Sequence, residues 1–416
     1  QFSYMYWRYF MWNFAGRQDD VQGQGNILHG NWISGIPFLD EMRLGSQDNL
    51  PEVVKNNRAR NTYYFLPLIL GVLGLVFHFK HDKQRFWVLL VFFLFTGLAL
   101  KVYLNERPFE PRERDYAVVG SFYVFAMWIG FGAYALFDMI KDYLKPKIAL
   151  PVALGISALA APVILATENW DDHDRSDRYT ANAMGTMYLD SCTEDGILFT
   201  IGDNDTFMLW YKQNVEQYRQ DIRVVCTALF VTDWYIDDMK KKAFDSDPIP
   251  SQLTHEKYRT GTRDFLFYHG TDFKRAIADF VRVENGELSL DGFRERNPRA
   301  AEEIRFLVNN GTDIETLKRN GDTLDIKTWM NWVASDDRIT QVELNSGKFA
   351  HSFPTKNIRI PVNKEAVLRN GIVKPEDADK IVPYIDINLN GNIMYKNRMM
   401  MLDIIANNNW ERPIYF

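Results

Sequence analysis

The chain has 416 residues, which is more than one ordinary domain needs and favours two or three domains. Its formal net charge is -6, so it lacks the general basic surface that recruits nucleic acid, and we exclude that class of partner. Apolar residues make up 46% of the sequence but are concentrated before residue 167, which indicates an apolar first part and a globular second part.

The chain begins at Gln1, without an initiator methionine or a signal peptide, and stops at "WERPIYF", which is predicted to begin a strand. We therefore expect a fragment of a longer protein. Residues 1–61 are expected to form an interfacial or outer loop segment. Within them, "YMYWRYFMWNFAGRQDD" (4–20) is rich in aromatic residues and interrupted by Arg8, which is typical either of an interfacial helix or of a packed core segment.

Four apolar runs follow, and each is close to the roughly 20 residues that a helix needs to cross the hydrocarbon core. Aromatic residues mark several of their ends, as they do at a membrane interface. The alternative, a set of buried helices in a large soluble protein, is disfavoured by four such runs in so short a stretch. We predict a transmembrane region of four helices over 62–166, at about 62–79, 86–104, 116–137 and 148–166.

The positive charges leave the orientation of this region open. Two connections, "KHDKQR" (80–85) and "KDYLKPK" (141–147), carry six Lys and Arg on one side of the membrane. The other side carries nine, at Lys55, Arg58, Arg60, Lys101, Arg107, Arg112, Arg114, Arg175 and Arg178. Because the more positive side normally faces the cytoplasm, the count alone would put the C-terminal part there. Arginines that bind a ligand would distort this count.

The connection between the second and third predicted helices concentrates charge beside the membrane. "ERPFEPRERDY" (106–116) contains Arg107, Arg112 and Arg114, and two prolines stiffen it by fixing φ. Guanidinium groups bind phosphate through paired, charge-assisted hydrogen bonds, so the loop is a candidate site for a lipid phosphate or pyrophosphate. Alternatively, the arginines pair with the acidic residues of the same loop or contact bulk lipid head groups.

Residues 167–416 are predicted to form a soluble α/β domain. Strand "GILFTIG" (196–202), helix "DTFMLWYKQNVEQY" (205–218) and strand "IRVVCTALF" (222–230) have the length and order of a βαβ unit, and another helix begins near Asp233. The region from about 245 to 355 is more polar and is predicted to be a less regular insertion, with helices at 272–281 and 299–310.

Regular structure is predicted again from residue 358 onward. The elements are a strand at 358–362, a helix capped by Asn363, a hairpin "DINLNGNIMY" (386–395) turning at Asn390-Gly391, a helix at 398–408 and the final strand "PIYF". Cys192 and Cys226 have no metal-ligand spacing and form either a disulfide or two buried thiols.

Two acidic motifs are candidates for chemistry. In "GDNDTF" (202–207), Asp203 and Asp205 resemble the Asp-x-Asp pair by which nucleotide-sugar glycosyltransferases hold a metal and a diphosphate, but a helix follows at once, so we favour a capping role. In "WDDHDRSDR" (170–178), Asp171 and His173 belong to a cluster that could bind a metal, although acidic residues that open a helix are a commoner cause of such a run.

Long blocks of the sequence resemble one family of bacterial membrane proteins. In chain order they are "WRYFMWNFAGRQDDVQG", "GNWISG", "PRERDYAVVGSFYVFAMWIG", "WDDHDRSDRY", "GDNDTFMLWY", "TDWYIDDMK", "PTKNIRIPV" and "IANNNWERPIYF". They are similar to the proteins once called domain of unknown function 2723, now grouped as glycosyltransferase family 117 and related to the animal transmembrane O-mannosyltransferase that acts on plexin-type domains. The blocks run from the first residues to the last, so the resemblance covers essentially the whole chain.

The resemblance implies a multi-domain membrane protein, in which a partial GT-C-like bundle of transmembrane α-helices precedes a soluble α/β domain. It implies transfer of a sugar, with mannose expected, from a polyprenyl-phosphate donor to protein Ser/Thr hydroxyls. In this family an acidic residue in the first outer loop is the general base. That loop lies N-terminal to this chain, so we assign no catalytic base and expect the fragment alone to be inactive.

The resemblance also implies an inner-membrane protein whose C-terminal domain faces the periplasm, and we follow it over the charge count. Surface arginines hold the donor phosphate in such enzymes, and here Arg107, Arg112 and Arg114 match. The candidates for a supporting or acceptor site are Asp115, Asp203, Asp205, Asp171 and His173. No metal or other cofactor is expected, since the lipid-linked sugar phosphate is a substrate, and the expected partners are membrane lipid, that donor and a protein acceptor.

Two alternatives stay open. One is a nucleotide-sugar glycosyltransferase on the cytoplasmic side that uses Asp203 and Asp205. The other is a non-enzymatic membrane scaffold whose α/β domain binds an envelope partner.

Overall fold

The computed structural model describes residues 2–109, 112–270 and 273–416. It divides into two compact units, one ending at Asp177 and one beginning at Arg178. The first is mainly helical, with α1 (Arg8–Phe14), α2 (Pro37–Leu44), α3 (Glu52–Lys55), α4 (Leu66–His81), α5 (Lys83–Leu94), α6 (Leu100–Leu104), α7 (Val119–Ile140), α8 (Pro146–Ala158) and α9 (Ile164–His173). Its strands β1 (Gly16–Arg17) and β2 (Asn61–Thr62) pair antiparallel.

Short π-helical turns make several of these helices continuous. Phe95–Ala99 joins α5 to α6, and Leu159–Val163 joins α8 to α9. Within the described residues, three helices are long and apolar enough to cross a membrane, namely Lys83–Leu104, Asp115–Ile140 and Pro146–His173. The prediction of four such helices is therefore met in part, because α4 is apolar but has only 16 residues.

Glycine residues bring α4 and α7 unusually close together. A Cβ atom added at Gly74 would lie 1.8 Å from the carbonyl oxygen of Trp128, and one at Gly132 would lie 2.0 Å from the carbonyl oxygen of Leu70. Close approach at small residues is typical of helices packed in lipid, where dispersion contacts between backbones hold helices together.

The N-terminal segment forms the aromatic core of the first unit. A π-helical turn, Ser3–Trp7, leads directly into α1, and the rings of Phe10 and Phe14 lie 4.8 and 4.5 Å from that of Phe125 on α7. Of the two alternatives for this segment, the structure shows the packed one. The buried cluster contains Tyr6, Tyr9, Phe10, Trp12 and Phe14 from the segment and Phe86, Phe93, Phe122, Phe125 and Trp128 from the helices.

The second unit mixes helices with three small sheets. Its helices are α10 (Thr180–Asp190), α11 (Asp203–Asn214), α12 (Asp233–Met239), α13 (His255–Tyr258), α14 (Phe273–Glu284), α15 (Leu290–Arg296), α16 (Ala300–Asn309), α17 (Ile314–Asn320), α18 (Ile326–Ala334), α19 (Lys364–Arg369) and α20 (Lys396–Asn408). Its strands are β3 (Ile197–Thr200), β4 (Arg223–Cys226), β5 (Phe265–Tyr268), β6 (Thr323–Asp325), β7 (Gln341–Glu343), β8 (Phe349–Phe353), β9 (Asn357–Pro361), β10 (Tyr384–Asn388), β11 (Ile393–Tyr395) and β12 (Ile414–Tyr415). The sheet orders are β12-β3-β4, β11-β5-β8-β7 and β10-β9-β6.

The predicted βαβ unit is confirmed. Strands β3 and β4 pair in parallel across the intervening α11, with Ile197 opposite Arg223. The last strand, β12, pairs in parallel with the other side of β3. The predicted cap is confirmed as well, because the Asn363 side chain accepts a hydrogen bond of 3.1 Å from the Ala366 N–H at the start of α19.

The predicted hairpin at 386–395 is wrong. Gly391 does adopt the positive φ of a turn, at 85°. The strands on either side nevertheless belong to different sheets, because β10 pairs with β9 and β11 pairs with β5. An alternating pattern specifies which face of a strand is buried but not which strand lies beside it, so the turn leads the chain from one sheet to the next.

The segment predicted as a less regular insertion, about 245–355, contains the helices α13 to α18 and the strands β5 to β8, and it belongs to the main core of the second unit. Trp329 and Trp332 of α18 have no exposed surface. They lie in the same hydrophobic cluster as Val225 of β4 and Met400 of α20, which come from outside the segment. The segment therefore packs as part of this unit.

Cys192 and Cys226 are both free and buried, so the structure shows two thiols. Cys192 packs with Leu189 and Leu209, whereas Cys226 ends β4 in the main core. Burial raises the pKa of the Cys192 thiol, which keeps it protonated and unreactive at neutral pH.

Replacing Gly74 by alanine is expected to destabilise the first unit, because the added Cβ would overlap the Trp128 carbonyl. We expect a loss of about 1–3 kcal/mol, the usual cost of overpacking. Gly130→Ala is the matched control on α7, since a Cβ there meets no heavy atom within 4 Å. Thermal unfolding in detergent should give a lower Tm for Gly74→Ala only, and equal Tm values would contradict the close packing.

Candidate functional site

A buried ion pair anchors the charged loop between α6 and α7. The Glu113 carboxylate accepts hydrogen bonds from the Arg8 guanidinium at 2.8 and 3.0 Å, from the Tyr9 hydroxyl at 2.5 Å and from the Gly23 N–H at 3.1 Å. The side chains of Arg8 and Glu113 are only 5% and 11% exposed. Arg8 also donates to the Gly30 carbonyl at 2.7 Å, so one arginine ties two loops to α1.

The Glu113 carboxylate is ionised at neutral pH. Burial alone would raise its pKa, but the hydrogen bonds from Arg8 and Tyr9 and the charge of Arg8 outweigh burial, and the net shift is downward. Burial and the neighbouring Glu113 carboxylate raise the pKa of Tyr9, which stays a hydroxyl donor. The cluster is therefore a full ion pair whose remaining lone pairs are satisfied, as burial of charge requires.

A second buried pair fixes the start of the same loop. The Lys101 ammonium of α6 lies 2.5 Å from the Glu106 carboxylate, with side-chain exposures of 2% and 7%. Lys101 also donates to the Arg114 carbonyl at 3.3 Å. Glu113 therefore pairs with an arginine of α1, and Glu106 pairs with a lysine of α6. Both acids have cationic partners outside the connection between α6 and α7, which we call the arginine loop.

The structure brings the three predicted phosphate-binding arginines together. Arg107, Arg112 and Arg114 line one small depression, beside Tyr4 and Phe109. Arg107 and Arg112 are exposed, and neither forms an ion pair with any residue among those described. The depression has a volume of about 10 Å³, which is space for about one water molecule. A phosphate would therefore bind at its surface or after the arginine side chains move apart.

A much larger cleft adjoins this loop. Its volume is about 630 Å³, within the usual range of ligand pockets. Asp115, the residue after Arg114, lies in its wall. Polar lining comes from Arg17, Asn61, Asp115, Asn169, Asp172 and His173, and apolar lining from Trp12, Phe122, Leu165 and Trp170. A wall of this mixed character suits a ligand that carries hydroxyl groups on an apolar frame.

The acidic run at 170–178 closes a helix, so the expectation that such residues open one is wrong here. The last apolar helix simply continues through His173, whose Nδ1 lies 2.6 Å from the Asp172 carboxylate and 2.9 Å from the Asn169 carbonyl oxygen. Asp172 and His173 face the cleft, whereas Asp171 is exposed on the helix. In the part of the chain that the structure describes, no cluster of three or more His, Cys, Asp or Glu is arranged to hold a metal.

The Asp-x-Asp motif lies in the second unit and caps a helix, as favoured from the sequence. The Asp205 carboxylate accepts hydrogen bonds from the Ile201 N–H at 2.7 Å and from the Gly202 N–H at 2.9 Å. Asp203 is exposed in the first turn of α11. Both carboxylate oxygens of Asp205 are thus committed to the backbone at the start of α11.

Comparison with known families bears on this second unit. Residues 181–416, more than half of the chain, match the family described as TMEM260-associated domain 2. The chain belongs to this family. The TMEM260-associated domain 2 starts within α10 and includes the three sheets and the Asp205 cap. No curated protein and no solved structure matches the chain.

Sequence reasoning missed the partnership of Arg8 and Glu113, which are 105 residues apart. One signal in the sequence indicated such a partner. Arg8 lies inside a run of aromatic residues, and a guanidinium that is buried there needs a counter-charge. The cleft was missed too, since Asn61 and Asn169, whose side chains meet at 2.9 Å, come from distant parts of the chain.

Glu113→Gln is expected to destabilise the first unit by about 3–5 kcal/mol, because the Arg8 guanidinium would stay buried without a counter-charge. Glu41→Gln removes an exposed carboxylate from α2 and is the matched control. Chemical unfolding in detergent, followed by tryptophan fluorescence, measures the difference. An equally small effect of both substitutions would show that the pair contributes nothing.

The same pair predicts an acid-sensitive component of stability. A carboxyl pKa that is depressed on folding contributes stability above its unfolded value, near 4.5, and that stability is lost as the pH falls through the folded-state pKa. The wild type should lose stability below about pH 4.5 more steeply than Glu113→Gln. Parallel pH profiles for the two proteins would contradict the assignment.

Proposed function

We propose that the protein acts as a membrane glycosyltransferase of the GT-C type. It transfers a sugar, with mannose expected, from a polyprenyl-phosphate donor to a Ser or Thr hydroxyl of a protein. The observation that carries the proposal is the position of three arginines and a cleft of about 630 Å³ at the same end of an apolar helical bundle. The reaction is inferred from the sequence resemblance, and the arginines and the cleft support it as candidate sites for the donor and the acceptor.

The two features share one end of the bundle because of the path of the chain. The loop at 105–114 follows the helix Lys83–Leu104, and the cleft residues Asp172 and His173 end the helix Pro146–His173. The chain runs away from this end along α7 and returns along α8 and α9, so the loop and the end of α9 meet again at the same side.

The arginines suit the leaving group of the reaction. The acceptor oxygen attacks the anomeric carbon, the bond from that carbon to the phosphate oxygen breaks, and the phosphate leaves with the electron pair while the hydroxyl proton passes to a base. Guanidinium groups near the departing phosphate stabilise the negative charge that develops there. Arg107 and Arg112 are exposed and carry the donor-binding role most directly.

The cleft suits the sugar and the acceptor. Asp115, Asp172 and His173 offer hydrogen-bond partners for hydroxyl groups, and the exposed Trp170 offers aromatic surface. The TMEM260-associated domain 2 would recruit or position the acceptor, and Asp205 orders its strand-to-helix edge. The proposal puts both features on the periplasmic side of the inner membrane, where a lipid-linked sugar is used.

The nucleotide-sugar alternative has less support. It needs the Asp203 and Asp205 carboxylates to bind a metal, but both Asp205 oxygens already accept backbone hydrogen bonds. Releasing them would uncap α11 at a cost of about 0.5–2 kcal/mol.

The other alternative is a non-enzymatic scaffold. If the protein were only a scaffold, the full-length protein would not bind the donor.

Removing two exposed arginines is expected to weaken donor binding. In the full-length protein, Arg107→Ala with Arg112→Ala should bind a short-chain polyprenyl-phosphate mannose at least about 100-fold more weakly, since each hydrogen bond between charged groups contributes about 1.5–3 kcal/mol. Calorimetry in nanodiscs measures this affinity. Arg114→Ala tests the third, half-buried arginine in the same way.

The matched control is Lys83→Ala with Arg85→Ala, which removes the same charge from two exposed residues in the first turn of α5. These residues lie at the opposite end of the helix Lys83–Leu104, so the control should bind the donor as the wild type does. Unchanged affinity in the Arg107/Arg112 variant, or an equal loss in both double variants, would remove the arginines from the donor site.

A further inference from the structure

A cavity of about 570 Å³ lies within the TMEM260-associated domain 2, between the loop that precedes β5 and the start of β8. Its volume is in the usual range for small-ligand sites. The wall combines three phenyl rings, from Phe265, Phe267 and Phe349, with the polar side chains of Asp264, Asp336 and His351. Neither the arginine loop nor the cleft of the first unit contributes to it.

A buried arginine holds the wall of this cavity in place. Arg263 is 1% exposed, and its guanidinium donates to the Val333 carbonyl at 2.8 Å, to the Ser335 carbonyl at 2.9 Å and to the Asp336 carboxylate at 2.6 Å. These bonds fix the loop after α18 against the loop before β5. The cavity is therefore preformed, and a ligand would not have to order it.

The charges around the cavity are balanced by partners within the protein. A phosphate or another strongly charged ligand would meet no excess of opposite charge, so the wall favours a neutral ligand. The pairs are Arg263 with Asp336 at 2.6 Å, Lys396 with Asp264 at 2.6 Å, and Arg259 with Glu256 at 3.1 Å.

One exposed and one half-buried polar side chain of the wall have unused capacity for hydrogen bonds. The Asp336 side chain is 64% exposed despite its bonds to Lys257 and Arg263, and the hydrogen bond from Lys257 lowers its pKa to about 2, so it is an ionised acceptor. The Nδ1 atom of His351 is buried without a hydrogen-bond partner in the described part of the chain. Burial, assisted by the charge of Arg263, lowers the pKa of His351 to about 4, so its ring is neutral at physiological pH.

Phenyl rings form the apolar part of the cavity wall. Phe265 is 49% exposed and Phe349 is 38% exposed, so both rings present apolar surface that a ligand could contact. A pyranose presents a C–H face that packs on such rings and hydroxyl groups at its edge. We propose that this cavity binds the ring of a neutral sugar, with the phenyl rings against its C–H face and Asp336 and His351 bonded to its hydroxyl groups. The site goes beyond the proposed function, because it lies in the other unit and does not need a lipid-linked donor.

The test is a titration of the full-length protein with methyl α-D-mannopyranoside and methyl β-D-glucopyranoside, followed by saturation-transfer difference NMR. The detergent is lauryldimethylamine oxide, which has no sugar head group. Saturable binding is expected, with affinity about five- to tenfold lower in Phe265→Ala and in Phe349→Ala. Phe207→Ala removes a phenyl ring that is 55% exposed on α11 outside the cavity, and this control should bind as the wild type does.

Thermal unfolding shows which variants are folded, and the two cavity variants serve as independent tests. The Arg107→Ala, Arg112→Ala variant should keep this sugar binding, so failure of the donor site and failure of this site are distinguishable. Absence of saturable sugar binding to the wild type would overturn the proposal. So would equal affinity in all three phenylalanine variants, or binding of a Ser/Thr-rich peptide in the cavity in place of sugars.

Discussion

The first unit depends on the buried ion pair between Arg8 and Glu113. Removing two charges from water is costly, and the pair persists because Tyr9 and Gly23 satisfy the remaining oxygen lone pairs of the carboxylate. In return the pair fixes the loop at 105–114 to α1. Together with the Lys101–Glu106 pair at the start of the loop, it sets where the arginines lie at the end of the helical bundle.

The packing around this pair explains why it is rigid. The rings of the N-terminal segment fill the space between α5 and α7, and the glycines of α4 and α7 allow their backbones to touch. The arginine loop and the cleft are therefore held by a well-packed core. The second unit follows the same logic at Arg263, which holds a cavity wall by bonding three carbonyl and carboxylate partners. In both units a buried arginine holds the residues that border a depression or cavity.

Features encoded by neighbouring residues were predictable from the sequence. The periodicity of 205–218, the strands beside it and the Asn363 cap all depend on residues a few positions apart, and each is confirmed. Features that need a distant partner were not predictable. The turn at Gly391 formed, but β10 and β11 found partners in two different sheets. Pairing of Glu113 within its own loop was one of the alternatives, but its cation is Arg8, because only the folded bundle brings α1 beside that loop.

The site shows the same division. Charge density in the sequence identified Arg107, Arg112 and Arg114, which do share a depression. The cleft beside them was not foreseen, because its walls come from α1, β2, α7 and α9. Asp172 and His173 lie at the end of the last apolar helix, which ends at His173. The composition of the sequence predicted that this helix ends about seven residues earlier, at 166.

The central claim is that the arginine loop and the cleft face the side of the membrane where lipid-linked sugars are used, and the side is directly measurable. Single cysteines would replace the exposed residues Ser46, Gln84 and Ser346, one at a time, in a protein whose Cys192 and Cys226 have been substituted. Intact cells would then be treated with a membrane-impermeant maleimide. The account predicts that Ser46→Cys and Ser346→Cys are labelled from outside, and Gln84→Cys only after lysis. Labelling of Gln84→Cys in intact cells, with the other two protected until lysis, would contradict it and favour a cytoplasmic, nucleotide-sugar enzyme.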